Sequence, residues 1–230
     1  MSLFVIGDTH LSLGAAKPMD IFVGWENYVE RLEKKWRAIV NNNDTVVIAG
    51  DVSWGMSLDD SLVDFRFLDS LPGEKIIMKG NHDYWWNTRK KMEQFFVDNS
   101  LETIKILHNN AYRVNDIAVC GTRGWFFDCQ SIEDKKVLNR EAGRLSTSIK
   151  AAKELGGEPV AFLHYPPLSN DKVCQEIMQV LIDEKIERCY YAHLHGASCS
   201  NAFNGEYENI KFSLISADYL SFCPKLILNK

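Results

Sequence analysis

Five short apolar runs, each breaking off into glycine, aspartate, asparagine or histidine, constrain this chain more than anything else in it. Leu3 to Ile6 runs into Gly7-Asp8-Thr9-His10, Thr45 to Ala49 into Gly50-Asp51, and Ile76 to Met78 into Gly80-Asn81-His82-Asp83. Val160 to Leu163 delivers His164, and Cys189 to Ala192 delivers His193-Leu194-His195. Apolar runs of this length closed by turn residues read as buried strands, and strand ends of an open α/β sheet are where ligands bind. Between the runs, apolar residues recur at helical spacing near 24–40, 58–71, 84–97, 135–155 and 172–184, which predicts helices over the outer faces of the sheets.

The histidines sort with the strand ends. Of the six in the chain, only His108 stands elsewhere. A single histidine in such a place is ordinarily a hydrogen-bonded ring under a loop. Five of them, together with Asp8, Asp51 and Asn81, make up the donor set of an oxygen and nitrogen metal site. Asp8 and His10, like His193 and His195, are two residues apart, and in extended chain such a pair shares a face with Cα atoms roughly 6.5 Å apart. Each pair can therefore reach one centre, or straddle two ions about 3.5–4 Å apart. Asp51 is the natural bridge, because its two oxygens can hold one ion each.

The ordered set Gly7-Asp8-Thr9-His10, Gly50-Asp51, Gly80-Asn81-His82-Asp83, His164 and His193-Leu194-His195 resembles the calcineurin-like metallophosphoesterases, in family order and over almost the whole chain. The resemblance implies a four-layer α/β/β/α sandwich: two mixed β-sheets flanked by helices, with a dinuclear metal site at the strand ends. It implies that Asp8, His10 and His195 bind one ion, that Asn81, His164 and His193 bind the other, and that Asp51 bridges them. His82 would sit over the substrate phosphate. The chain departs from the family pattern at two places. Ala192 stands where the family often has glycine before the His-x-His pair. After Asp51 the chain reads Val52-Ser53-Trp54-Gly55, without the aspartate and arginine of the protein Ser/Thr phosphatases, so that branch is excluded and the usual carboxylate partner of His82 is missing. Asp83, Asp59 and Asp60 are the candidate replacements, with Asp83 taken alongside His82 as catalytic.

The expected reaction is phosphoester hydrolysis by a metal-bridging hydroxide, with two divalent transition ions as cofactors. Manganese or iron suits the four imidazoles, with zinc or nickel as alternatives. The absence of an evident cap domain leaves the site open, which favours phosphodiesters. A phosphomonoesterase acting on a nucleotide or other small phosphate ester is the alternative, as is a binding module that kept the fold and lost the chemistry. Completeness of the ligand set, Asn81 and His82 included, argues for the enzyme.

Beyond the ligands, Cys120 to Cys129 leaves its strand, read as Ile117 to Cys120, through Gly121 and Gly124 and puts Arg123, Trp125 and Phe126 on a loop. Arg123 is a candidate clamp for a phosphate or carboxylate, and Trp125 a candidate surface for a base or sugar. The competing reading is an aromatic plug closing the sandwich. For Trp85 and Trp86, helix packing is expected of at least one. Arg140 and Arg144, near Lys136, read as a solvated helix face, with phosphate gathering as the alternative.

Composition bounds the rest. The 230 residues, 46% hydrophobic, suffice for one domain over 1–230. The first strand starts at Ser2 or Leu3, no apolar run approaches a membrane span, and the six cysteines form no C-x-x-C pair. A cytoplasmic protein with reduced thiols is expected, with no membrane association. Cys199, close after His195, is expected to pack in a turn rather than reach the metals. A net charge of -5 argues against a general nucleic-acid surface. The expected partner is a small-molecule or nucleotide phosphate ester, nucleic-acid ends remain open as a substrate, and no obligate protein partner is evident.

Overall fold

The computed structural model describes residues 1–125 and 131–229; Phe126 and Cys129 lie outside the described residues. The chain passes through β1 (Leu3–Ile6), α1 (Tyr28–Ile39), β2 (Thr45–Ile48), α2 (Leu62–Ser70), β3 (Glu74–Ile77), α3 (Arg89–Asp98), β4 (Ile104–Ile106) and β5 (Tyr112–Val114). It continues through β6 (Ile117–Thr122), α4 (Ile132–Leu155), β7 (Glu158–Leu163), α5 (Gln175–Asp183) and β8 (Arg188–Tyr191). A 3₁₀ turn at Gly196–Asn201 precedes β9 (Gly205–Tyr207), β10 (Ile210–Leu214) and β11 (Lys225–Leu228).

Two mixed sheets result, in the orders β11-β1-β2-β3-β4 and β5-β6-β7-β8-β10-β9. β1 to β4 run parallel with β11 antiparallel at one edge. In the second sheet β6, β7, β8 and β10 run parallel, with β5 and β9 antiparallel at its edges. The two-residue period of a strand then sorts the side chains into layers. Leu3, Val5, Val47, Ala49, Ile76 and Met78 face the second sheet and meet Val119, Val160, Phe162 and Ile215. Their neighbours Phe4, Ile6, Val46, Ile48 and Ile77 face outward onto Leu32 and Trp36 of α1, Phe65 of α2 and Met92 of α3. On the far side, Ala161, Leu163, Cys189 and Tyr191 pack under Leu145 and Ile149 of α4 and Ile177 and Leu181 of α5. The order of layers is therefore helix, sheet, sheet, helix.

The strands and helices expected from periodicity are present, with shifted ends. The third helix starts at Arg89 rather than near Tyr84, because the Thr88 hydroxyl caps it by accepting the Lys91 amide at 3.4 Å. Trp85 is buried in the core and Trp86 packs against it half-buried. No helix among the described residues is long and apolar enough to cross a membrane.

Candidate metal centre and active site

The carboxyl ends of β1, β2 and β3 in one sheet meet those of β7 and β8 in the other, which brings the five polar strand ends to one place. Backbone bonds hold the loops in register: the Asp8 amide donates to the Gly50 carbonyl at 2.9 Å, His10 to Asp51 at 2.9 Å, and Ala192 to His164 at 3.1 Å. Gly7 bridges the sheets by donating to the Ile215 carbonyl at 2.7 Å. A Cβ on Gly7 would lie 2.5 Å from that of Ala192, so the alanine before the His-x-His pair sits against a neighbour that has to be glycine.

The ligand atoms of Asp8, His10 and His195 lie within 4.8 Å of one another, as do those of Asp51, His164 and His193. Asp51 stands between the groups. Its Oδ1 accepts the His82 amide at 2.7 Å, while its Oδ2 is 3.7 Å from His10 Nε2 and 3.5 Å from His164 Nε2. Asn81 Oδ1 is 2.7 Å from His164 Nε2. A Cβ on Gly80 would fall 2.1 Å from Asp51 Oδ1, so only glycine lets the β3 loop approach so closely.

The extended backbone expected at the paired ligands is not what forms. Asp8, His10, Asp51 and His193 are left-handed, with φ of 57°, 44°, 48° and 76°. The strands end before these residues, and the turns that aim the side chains are strained at about 1–3 kcal/mol per non-glycine residue. Such strain persists because the surrounding bonds over-determine it, as when Asp8 Oδ2 accepts the His193 amide at 2.8 Å.

The hydrogen bonding fits divalent cations. His164 Nδ1 faces the Ala49 carbonyl at 3.1 Å, an acceptor only, so Nδ1 carries the ring proton. Burial lowers His164 to about 3, which leaves Nε2 a lone pair aimed at the oxygens of Asn81 and Asp51. Three acceptors facing one another call for a cation between them. In the other group, His10 and His195 point Nε2 at each other at 3.3 Å, and Asp8 Oδ1 is buried with no donor among the described residues. Burial lowers His10 and His193 to about 3 as well. Asp8 is raised to about 7 by burial, with His195 opposing and Asp51 reinforcing.

Asp218 is a participant that the sequence did not disclose. Its Oδ1 accepts His195 Nδ1–H at 3.0 Å and its Oδ2 accepts the Gly196 amide at 2.8 Å, which fixes the tautomer and aims Nε2 at the site. Burial disfavours charge on His195, but Asp8 and Asp218 outweigh it and push it up to about 9. The only signal was a carboxylate shortly after the apolar run of β10, a pattern too common to single out.

His82 sits beside the Asp8 group, its ring 5.8 Å from that of His10 and 4.4 Å from that of Trp54. Its Nδ1 is 3.3 Å from the Tyr84 hydroxyl, and none of the three proposed carboxylates reaches it. Asp59 and Asp60 are exposed on the surface. Asp83, read as catalytic, is buried and accepts from the amides of Gly80 at 2.7 Å, Val52 at 2.8 Å and Ser53 at 3.3 Å, and from Trp85 Nε1 at 3.1 Å. It ties the β2 and β3 loops together instead of orienting His82.

Arg123 stands at the end of β6. Its carbonyl accepts the amides of His164 at 3.2 Å and Tyr165 at 2.9 Å, bracing the histidine. Its guanidinium lies 4.6 Å over the Trp125 ring and 3.8 Å from Glu141, and Nε is buried without a hydrogen-bond partner among the described residues. Trp125 packs edge-on to Tyr165 at 5.7 Å, and Tyr165 meets the His193 ring at 4.4 Å, so the loop adjoins the second group. Arg144 donates to Glu141 at 2.7 Å, so it is not merely a solvated helix residue. Cys199 bonds the Leu194 carbonyl at 3.3 Å within its turn.

Residues 1–197 match the calcineurin-like phosphoesterase family. The chain belongs to that family. Among solved structures it is similar to a protein of unknown function from Aquifex aeolicus, with 14% identity, a TM-score of 0.54, and 98% of this chain and 95% of that one covered. It is similar also to the phosphopantetheinyl hydrolase of Mycobacterium tuberculosis, with 12% identity, a TM-score of 0.54 and coverage of 100% and 96%. A Thermus thermophilus protein aligns with 13% identity, a TM-score of 0.53 and coverage of 84% and 81%. At these identities the likeness is one of fold. No match was found among curated proteins.

Proposed function

We propose that this chain is a dinuclear metal-dependent phosphohydrolase that prefers phosphodiesters. Asp8, His10 and His195 hold one divalent transition ion, Asn81, His164 and His193 the other, and Asp51 both; manganese or iron is favoured, with zinc or nickel as alternatives. The observation that carries this reading is the position of Asp51 Oδ2, 3.7 Å from His10 Nε2 in one group and 3.5 Å from His164 Nε2 in the other. Bound metals of this kind supply Lewis acidity and a water-derived nucleophile at neutral pH.

The chain's own residues supply the rest. The bond from the His82 amide to Asp51 fixes the loop that presents the His82 ring to the site. That ring meets the charge that builds on the leaving oxygen as its bond to phosphorus breaks, by donating a proton or a hydrogen bond. The Tyr84 hydroxyl, beside Nδ1, holds the ring's orientation. Arg123 orients the substrate from the β6 end, and Trp125 backs its guanidinium. Asp218 keeps His195 in the tautomer that offers Nε2.

The same reading treats 1–230 as one domain. The family match ends at residue 197, yet β10 and β11 complete the two sheets and Asp218 braces His195. A cytoplasmic setting agrees with the free thiols of Cys120, Cys189, Cys199 and Cys223. The test is metal analysis of protein never exposed to chelator, then a screen of phosphomonoesters, phosphodiesters and nucleotides with added Mn²⁺. Two metals per chain and faster diester turnover are expected. Less than one metal per chain, with no gain on reconstitution, removes the proposal.

A further inference from the structure

A cleft of about 440 Å³ opens beside the Asp8 group, and His10, His82 and His195 form one of its walls. The rest of the lining is Gly196 and the largely apolar side chains of Met19, Phe22, Val23, Trp25 and Trp54. We propose that this cleft receives an apolar ester group of the substrate, alkyl or aryl and without a hydrogen-bonding edge. The inference rests on the phosphoesterase reading above and narrows its substrate class away from nucleotides.

The shared wall comes first. A group seated in the cleft touches the imidazole placed to meet the leaving oxygen and two of the residues assigned to the metals, so the occupant belongs to the reacting ester. The chemistry of the remaining lining comes second. Among the described residues no carboxylate, amide or guanidinium side chain lines the cleft, so the edges of a nucleobase would lose water and find few partners. Trp54 offers no free stacking surface: its ring already meets His10 at 5.1 Å, His82 at 4.4 Å and the Lys17 ammonium at 4.7 Å, and its Nε1–H points to Met19 Sδ at 3.3 Å.

The lip of the cleft supplies the third observation. Ile21, Phe22 and Val23, consecutive in the turn before α1, are 73%, 52% and 96% exposed. Three large apolar residues together in water are unfavourable unless something covers them in use, and two of these line the cleft. An apolar chain running out of the site past Phe22 and Val23 covers both.

Alkylphosphonates from methyl to octyl probe the cleft without being hydrolysed. Binding is followed by calorimetry and by the emission of the cleft tryptophans on metal-loaded protein, and as inhibition of a chromogenic diester. Affinity should rise about two- to fourfold per added methylene, as burial of each one predicts. Nucleoside monophosphates should bind no better than methylphosphonate. Val23→Asp and Phe22→Ser should flatten the chain-length series, whereas Val97→Asp, at an exposed position on α3, should leave its slope intact. A flat series in metal-loaded, catalytically active protein, or nucleotides binding more tightly than octylphosphonate, overturns the cleft assignment and leaves the phosphoesterase reading standing. No hydrolysis of any phosphoester at full metal occupancy overturns the reading beneath it instead.

Discussion

Replacing Asp83 by alanine should unfold the protein sooner rather than slow its chemistry. The carboxylate collects four donors from two loops, and the two shortest bonds, from Gly80 N at 2.7 Å and Val52 N at 2.8 Å, are buried and charge-assisted. Bonds of that kind contribute about 1.5–3 kcal/mol each, so losing both costs about 3–6 kcal/mol. Burial, reinforced by the nearby Asp51, raises Asp83 to about 7, so the carboxylate carries a desolvation penalty that the alanine variant escapes. The lower end, about 3 kcal/mol, is therefore expected. In urea, with a slope of about 3 kcal/mol per molar for a chain of this size, the midpoint should fall by about 1 M. Asp83→Asn keeps an acceptor oxygen and should fall between the two. Urea titrations on metal-free and metal-loaded protein, followed by circular dichroism, make the measurement. An Asp83→Ala variant with an unchanged midpoint, full metal content and a reduced kcat would refute the argument and return Asp83 to a catalytic role.

Four further outcomes are expected. His82→Asn should keep both metals and the fold but lose kcat by about 10²–10⁴, most severely on alkyl esters, whose leaving groups need protonation most; steady-state kinetics at measured metal occupancy checks this. Asp51→Ala should empty both groups at once, bringing bound metal by elemental analysis below that of any other single ligand variant. Arg123→Ala should raise KM roughly tenfold or more, the loss of a charged hydrogen bond, at unchanged metal content; lost stability with normal kinetics would show the residue to be structural. In metal-free protein, His195 rises from 6.5 to about 9, so its contribution to stability is complete below pH 6.5 and is lost as pH rises through 9. Thermal melts across that window should show a fall that His195→Gln flattens.

What could be read from the chain was whatever is local. An apolar run of four or five residues followed at once by Gly-Asp or Gly-Asn-His needs no distant partner to be recognised, and neither does a helix whose apolar residues recur each turn. The strands that went unread, β4, β5, β9, β10 and β11, include both edges of each sheet, and several are only three residues long and partly exposed, too short and too wet to show a pattern. The same limit hid the partners of Asp83: beside His82 in sequence it reads as catalytic, but its partners at Val52 and Ser53 arrive from another loop, about thirty positions away.

By itself, then, the sequence determined the inventory: a layered α/β chain, its helices and every inner strand but β10, and the aspartates, asparagine and histidines that end those strands, because each is written in consecutive residues. Only the tertiary structure decided how that inventory is deployed. It set Asp51 between two imidazole groups, supplied Asp218 to His195 from beyond the family's matched span, turned Asp8, His10, Asp51 and His193 into left-handed backbone, and left an apolar cleft open beside His82. Each of these depends on contacts between segments distant in sequence, and such contacts exist only once the two sheets have packed face to face.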